Sequence, residues 1–191
     1  MGKFVWLASF PRSGNTWFRS FLANLLDPSG VSINQIPRFH CAARLLFDKT
    51  LEFPSSILST DEINRLRPLV YRHWANEGLD ELSRFAKVHD ALSQPDDGEW
   101  MFPADITQAV IYIVRNPLDV CVSYSHFWGL NDYAKAADML CDPEHSIPFD
   151  TQELFGQLYQ HIGDWSFNVR SWCDHHLLPC LLYTSPSPRD A

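Results

Sequence analysis

Apolar residues along this chain follow two rhythms, one suited to buried strands and one to helices. Residues 4–10 (Phe-Val-Trp-Leu-Ala-Ser-Phe) form a short, nearly continuous apolar run with aromatic and β-branched members. That is the pattern of a strand covered on both faces, and Pro11 ends it. From Thr16 the apolar positions are 17, 18, 21, 22, 25 and 26, a helical stripe closed by Asp27-Pro28-Ser29-Gly30. Residues 31–58 keep no sustained period, apart from a short helical stretch within 40–50. Ser59-Thr60-Asp61-Glu62 marks a further helix start, with a capping hydroxyl ahead of two acids at the positive end of the dipole. Pro68 inside that helix introduces a kink point.

The second half repeats the alternation. Residues 85–89 (Phe-Ala-Lys-Val-His) read as a strand that ends before the Pro95-Asp96-Asp97-Gly98 loop. Residues 109–114 (Ala-Val-Ile-Tyr-Ile-Val) are the strongest strand in the chain, six apolar residues rich in β-branching. Arg115-Asn116-Pro117 then turns into a helix, with Pro117 at its first position and Asp119 in its first turn. Leu154, Leu158, Ile162, Trp165, Val169 and Trp172 mark one face of a long helical segment, which Gly163-Asp164 can divide. A fourth strand begins within 177–183. Strands alternating with helices predict a three-layer α/β/α domain, a P-loop-NTPase-like parallel sheet flanked by helices.

Composition narrows the class. At 191 residues, 46% hydrophobic, the chain has material for one core, expected over 1–182. Its 13 Phe and 7 Trp exclude intrinsic disorder. A formal charge of −8 argues against a nucleic-acid partner, and leaves room for an anionic ligand only where a few cations and backbone amides are placed for it. Five scattered cysteines with no C-x-x-C pair form no disulfide framework, which points to a reducing cytoplasm. The run at 4–10 is too short to span a bilayer and lacks a small-residue cleavage site, so neither a membrane partner nor a signal peptide is expected. Trp6 stands where a myristoylation motif needs Ser or Thr. Residues 183–191 (Tyr-Thr-Ser-Pro-Ser-Pro-Arg-Asp-Ala) change character abruptly and, with two prolines close together, are expected not to form a strand. They read as a frayed tail or, preferably, as non-native sequence, since they resemble translated adapter.

Two segments carry chemistry. Ser9-Phe-Pro-Arg-Ser-Gly-Asn-Thr-Trp17 lies between a buried strand and a helix. Gly14 permits close backbone approach, the helix start presents unpaired amides, Ser13, Asn15 and Thr16 are neutral donors, and Arg12 is a forked cation. A capped helix start with an incidental arginine explains S-G-N-T equally well; the strand–loop–helix setting is what brings an anion cradle level with it. A Walker A loop is excluded, because there is one glycine and no lysine after it. In the second segment, Arg115 stands at the carboxyl end of a strand, where open α/β sheets bind ligands, and Ser123 follows about two helical turns later. Alone, such an arginine is more often a surface or ion-pairing residue. Cys173-Asp174-His175-His176…Cys180 contains ligand types at a spacing that fits no zinc pattern, so no metal is expected.

These segments together resemble the sulfotransferases that use 3′-phosphoadenosine 5′-phosphosulfate. Pro11-Arg-Ser-Gly-Asn-Thr-Trp17 resembles their 5′-phosphosulfate loop, P-K/R-S-G-T-T-W, with Arg12 where lysine is frequent and Asn15 where threonine is commoner. Arg115-Asn-Pro-Leu-Asp-Val-Cys-Val-Ser123 resembles their 3′-phosphate motif, and Lys87-Val88-His89 their K-x-H segment. The resemblance spans about residues 3–182. It implies that Arg12 contacts the transferring sulfuryl group, that Ser13, Gly14, Asn15 and Thr16 hold the 5′-phosphate, and that Trp17 stacks on adenine. It further implies that Arg115 and Ser123 bind the 3′-phosphate, that His89 is the general base, and that Lys87 stabilises charge beside it. The acceptor is then a small-molecule hydroxyl, or an amine. The irregular, aromatic segments 31–58 and 128–150, with residues such as Phe39, Phe47, Phe53 and Phe127, are candidates for its pocket, or else core or lid. The family's later R-K-G segment has no counterpart here, so the resemblance implies a C-terminally incomplete domain. A P-loop-type nucleotide kinase and a non-catalytic phosphonucleotide-binding fragment are the alternatives.

Overall fold

The computed structural model describes residues 3–27, 29–32, 40–78, 84–94, 98–148, 156–174 and 179–184. Its centre is a four-stranded parallel sheet in the order β2-β1-β3-β6, formed by Phe4–Ala8 (β1), Phe85–Val88 (β2), Thr107–Val114 (β3) and Cys180–Thr184 (β6). Every residue of β1 is buried, because the strand is central and covered on both sides. Its period-2 alternation sends Phe4, Trp6 and Ala8 to one face and Val5 and Leu7 to the other. On the first face they pack with Tyr71 of helix α3 (Thr60–Glu77), Phe102, and Trp172 of helix α6 (Trp165–Cys173). On the second they meet Phe18 of helix α1 (Asn15–Leu26) and Ile113. Helices on both faces of a parallel sheet make the three-layer α/β/α fold expected from the sequence. The Trp6 indole N–H donates to Thr107 Oγ1 at 2.7 Å, so this fully buried ring also has its polar atom satisfied.

Helix α3 starts as its sequence dictates. Ser59 Oγ accepts from the Glu62 N–H, and the Glu62 carboxylate accepts from the Ser59 N–H, a reciprocal capping box. The helix runs on as one element through Pro68. Helix α4 (Pro117–Phe127) is capped by the Asn116 side chain, which accepts from the Leu118 N–H, with Pro117 at its first turn. Helix α2 (Arg44–Leu51) overlaps the stretch expected to be helical and runs one residue past it.

Four expectations need correction. The first strand stops at Ala8, two residues before Phe10, because the chain leaves the sheet to build the loop discussed below. The long helix expected through Leu158 and Ile162 begins only at Trp165. Gly163 is left-handed (φ 67°), with Phe167 so close that any Cβ would clash, and Asp164 caps the new helix by accepting from the Phe167 N–H at 2.8 Å. Upstream of that break, Gln160–His161 (β5) pairs antiparallel with Ser146–Ile147 (β4). Residues 128–150, expected to be irregular, contain helix α5 (Tyr133–Leu140), capped by Asp132 and packed on α4 through Ala136 and Leu140. Finally, Tyr183 and Thr184 extend β6 beside Ile113 and Val114, although they open the segment expected not to be strand. The prolines that motivated that expectation lie at 186 and 188, outside the described residues. Residues 185–191, Phe39, His175 and His176 also lie outside them.

Candidate functional site

The site grows from the carboxyl ends of β1, β2 and β3, where three chain segments leave the sheet together. After β1, Arg12 and Gly14 are both left-handed (φ 69° and 102°). For arginine that conformation costs on the order of 1–3 kcal/mol and persists only where its surroundings impose it. Gly14 is the N-cap of α1, no side chain caps that end, and no acid occupies its first turn. The start of α1 therefore presents backbone amides and a positive dipole end unclaimed by a carboxylate.

Arg12 and the β3–α4 junction interlock. Arg12 Nε donates to Ser123 Oγ at 3.0 Å, its guanidinium carbon lies 4.5 Å from the Phe127 ring centroid, and its own carbonyl accepts from Arg115 Nη1 at 3.2 Å. The two motifs, a hundred residues apart in sequence, thus share one hydrogen-bonded joint. Within it, Ser13 Oγ and Arg115 Nε are shielded from solvent and have no hydrogen-bond partner among the described residues. Orphaned donors of this kind cost about 1–3 kcal/mol each unless a ligand satisfies them. Asn15 turns inward instead, its Nδ2 donating to the Leu7 carbonyl at 2.8 Å and to Ser9 Oγ at 3.2 Å.

His89, at the end of β2, is 9% exposed. Its Nδ1 lies 2.8 Å from the Ser9 carbonyl and 3.2 Å from Ser9 Oγ. A carbonyl only accepts, so the imidazole proton belongs on Nδ1 and the lone pair on Nε2. Burial holds the imidazole well below its ordinary pKa, and the charge of Lys87 adds to this. The bond to Ser9 opposes the shift, while Arg19 and Arg12 reinforce it. Lys87 is itself lowered to about 8, first by burial and then by Arg19. His40 stands edge-on to His89 with ring centroids 6.2 Å apart, and burial likewise lowers its pKa, helped by Lys87.

A cavity of about 410 Å³ opens between these groups. Of the expected site residues, Arg12, Gly14, Asn15, Thr16, Lys87, His89, Arg115 and Ser123 line it. Ser13, in the same loop, is buried and is not among the lining residues. Trp17 faces outward, 56% exposed, its ring nearly parallel to Phe21 (8°) and Tyr183 (13°), in a separate hollow shared with Ser20, Phe21, Asn24 and Leu25. Among the acceptor-pocket candidates Phe127 lines the main cavity, Phe47 is fully buried core, and Phe53 is exposed elsewhere.

Several contributors were not singled out from the sequence. Ser9 fixes the His89 tautomer, and its position just before the glycine loop was the available signal. Arg19 acts on Lys87, His89 and His40 from one helical turn beyond Asn15 and Thr16, a spacing that could have flagged it. Trp128, Ile147 and Gln157 also line the cavity, and nothing local in the sequence marks them.

The fold and this cavity define an α/β domain whose chemistry gathers at the carboxyl ends of adjacent parallel strands. The sulfotransferase domain model matches residues 3–185, and the chain belongs to that family. It is 41% identical over 69 residues to sulfotransferase 2A1 of Rattus norvegicus, covering 36% of this chain and 23% of that protein. It is 28% identical over 170 residues to the luciferin sulfotransferase of Photinus pyralis, covering 83% of this chain and 41% of that protein. The chain therefore spans less than half the length of these relatives. Among the described residues, no helix is long and apolar enough to cross a membrane.

Proposed function

We propose that this domain transfers a sulfuryl group from 3′-phosphoadenosine 5′-phosphosulfate to a small-molecule hydroxyl, with His89 as general base. The supporting observation is the pairing of a neutral, Nδ1-protonated His89 with two arginines at neighbouring strand–helix junctions, all on one cavity. Ser13, Gly14, Thr16 and the amides of α1 receive the 5′-phosphate, while Asn15 braces the loop from within. Arg115 and Ser123 receive the 3′-phosphate. Trp17, already in a flat stack with Phe21 and Tyr183, is the adenine platform. The orphaned Ser13 Oγ and Arg115 Nε are donors that suit such an anion.

The transfer is an in-line displacement. The acceptor oxygen forms its bond to sulfur as its proton passes to His89 Nε2. The bond from sulfur to the bridging oxygen breaks, and that electron pair stays on the 5′-phosphate of the leaving adenosine 3′,5′-bisphosphate. Arg12 and Lys87 supply positive charge where the negative charge gathers, which is the main form of catalysis open to such a displacement.

The test is transfer of ³⁵S from the labelled nucleotide to a phenol, alongside transfer of ³²P from γ-labelled ATP with magnesium. Sulfur transfer that persists in EDTA is expected. Magnesium-dependent phosphorus transfer without sulfur transfer supports a kinase instead, and bisphosphate binding with neither transfer supports a non-catalytic fragment.

A further inference from the structure

Gln157 stands out in the cavity lining as a neutral, exposed polar side chain whose far end is fixed by a buried partner. Gln160, fully buried on β5, donates from Nε2 to Gln157 Oε1 at 2.9 Å. The other end of the Gln160 amide, Oε1, is shielded from solvent and has no partner among the described residues. A buried amide left half-satisfied costs about 1–3 kcal/mol. Its one side-chain bond orients Gln157 and leaves the Gln157 Nε2 donors for whatever enters the cavity. The backbone fixes the same residue. Gln157 pairs antiparallel with Ala43, the Leu158 N–H donates to the Ala42 carbonyl at 2.8 Å, and the Arg44 N–H donates to the Gly156 carbonyl at 3.1 Å. The lining also holds cations (Arg12, Lys87, Arg115), the His89 base and the apolar surfaces of Phe127, Trp128 and Ile147, while its other neutral polar side chains, Asn15, Thr16 and Ser123, belong to the two strand–helix junctions.

We propose that Gln157 is a specificity-determining residue for the acceptor, its amide N–H donating to a second oxygen of a molecule whose reactive hydroxyl sits at His89, and that Gln160 is its positioning residue. The preferred acceptors are then oxygen-rich, with a hydroxyl, ether or carboxylate besides the group to be sulfated, rather than a lone hydroxyl on a hydrocarbon body. The aromatic wall accommodates the ring and the amide reads the extra oxygen. This inference rests on the reading of His89 as the base.

The experiment compares phenol with catechol and resorcinol, which carry a second hydroxyl at two spacings. Dissociation constants are measured by NMR titration of the chain, with and without saturating adenosine 3′,5′-bisphosphate. At least one diol is expected to bind about tenfold more tightly than phenol, the effect of one well-placed hydrogen bond. Gln157→Leu, which keeps the volume and removes the donors, is expected to reduce that ratio to within about twofold. Gln160→Leu is expected to reduce it partway, and Gln157→Asn, whose amide falls short of the acceptor, to reduce it as well. Equal affinities in the unaltered chain, or a diol preference that survives Gln157→Leu, overturn the proposal. Failure of the bisphosphate to bind counts against the donor reading alone, because the acceptor comparison is also read without it.

Discussion

Replacing His89 by Asn is expected to lower turnover by about 10²–10⁴-fold, the usual worth of a positioned general base, while changing affinity for adenosine 3′,5′-bisphosphate less than about twofold. Asparagine can still donate to the Ser9 carbonyl, so the loop keeps its anchor, but it offers no basic lone pair to the acceptor proton. The pH profile provides a second reading of the same residue. Burial and the charge of Lys87 lower the His89 pKa well below its ordinary value near 6.5. The base is therefore already deprotonated through neutrality, and the rate is expected to stay flat as pH falls past 6.5, dropping only well below it. Stability has the matching sign. A histidine whose folded pKa is depressed binds protons more readily once unfolded, so its contribution is intact above about 6.5 and is lost as pH falls below that value. His40 and His145, the latter lowered to about 4 mainly by burial, add to the same acid sensitivity. A turnover rate that halves at pH 6.5 in the unaltered protein would show an imidazole titrating freely, contrary to this geometry.

The second large effect lies directly behind the site. Arg67 and Asp90 are buried (0% and 4% exposed) and bonded in parallel, Nη1 to Oδ1 at 2.7 Å and Nη2 to Oδ2 at 2.8 Å. Arg67 Nε also donates to the Tyr71 hydroxyl, which donates in turn to the Cys41 carbonyl. The pair ties α3 to the turn after His89, where Asn168 holds the His89 carbonyl and Trp172 the Asp90 carbonyl. Asp90→Ala leaves a guanidinium buried without its counter-charge and is expected to cost about 3–5 kcal/mol, a large share of the roughly 5–15 kcal/mol that holds a domain folded. Arg67→Met combined with Asp90→Leu removes both charges and fills the space, so the double variant is expected to be more stable than Asp90→Ala by more than about 2 kcal/mol. Urea unfolding midpoints at equal slope measure both. A double variant as unstable as Asp90→Ala would mean that the network contributes through shape rather than charge.

How far the sequence carried this account depended on whether a signal was local. Strand β3 and the start of α3 were legible because six apolar residues and a Ser-Thr-Asp-Glu cap are complete within a few positions. The three motif segments were legible for the same reason, and the parallel sheet brings their carboxyl ends together. The break at Gly163-Asp164 was visible only as a division of a helix. That the segment before it becomes β5 follows from pairing with residues 146–147, which a helical stripe cannot reveal. Arg67 carries no local signal, because its partner lies 23 residues away beyond a loop. Ser9, Gln157 and Gln160 escaped for the same reason, since each acts through a neighbour that only the folded chain supplies.

The most direct measurement is calorimetric titration of the chain with adenosine 3′,5′-bisphosphate, repeated with adenosine 5′-monophosphate and with Arg12→Ala and Arg115→Ala. One-site binding is predicted, weakened roughly 30-fold by either substitution, as expected when a charge-assisted bond of about 2 kcal/mol is lost. Removing the 3′-phosphate from the ligand is predicted to weaken binding to the unaltered chain and to matter little once Arg115 is gone. No binding of the bisphosphate, or binding indifferent to both arginines, would contradict the assignment of this cavity.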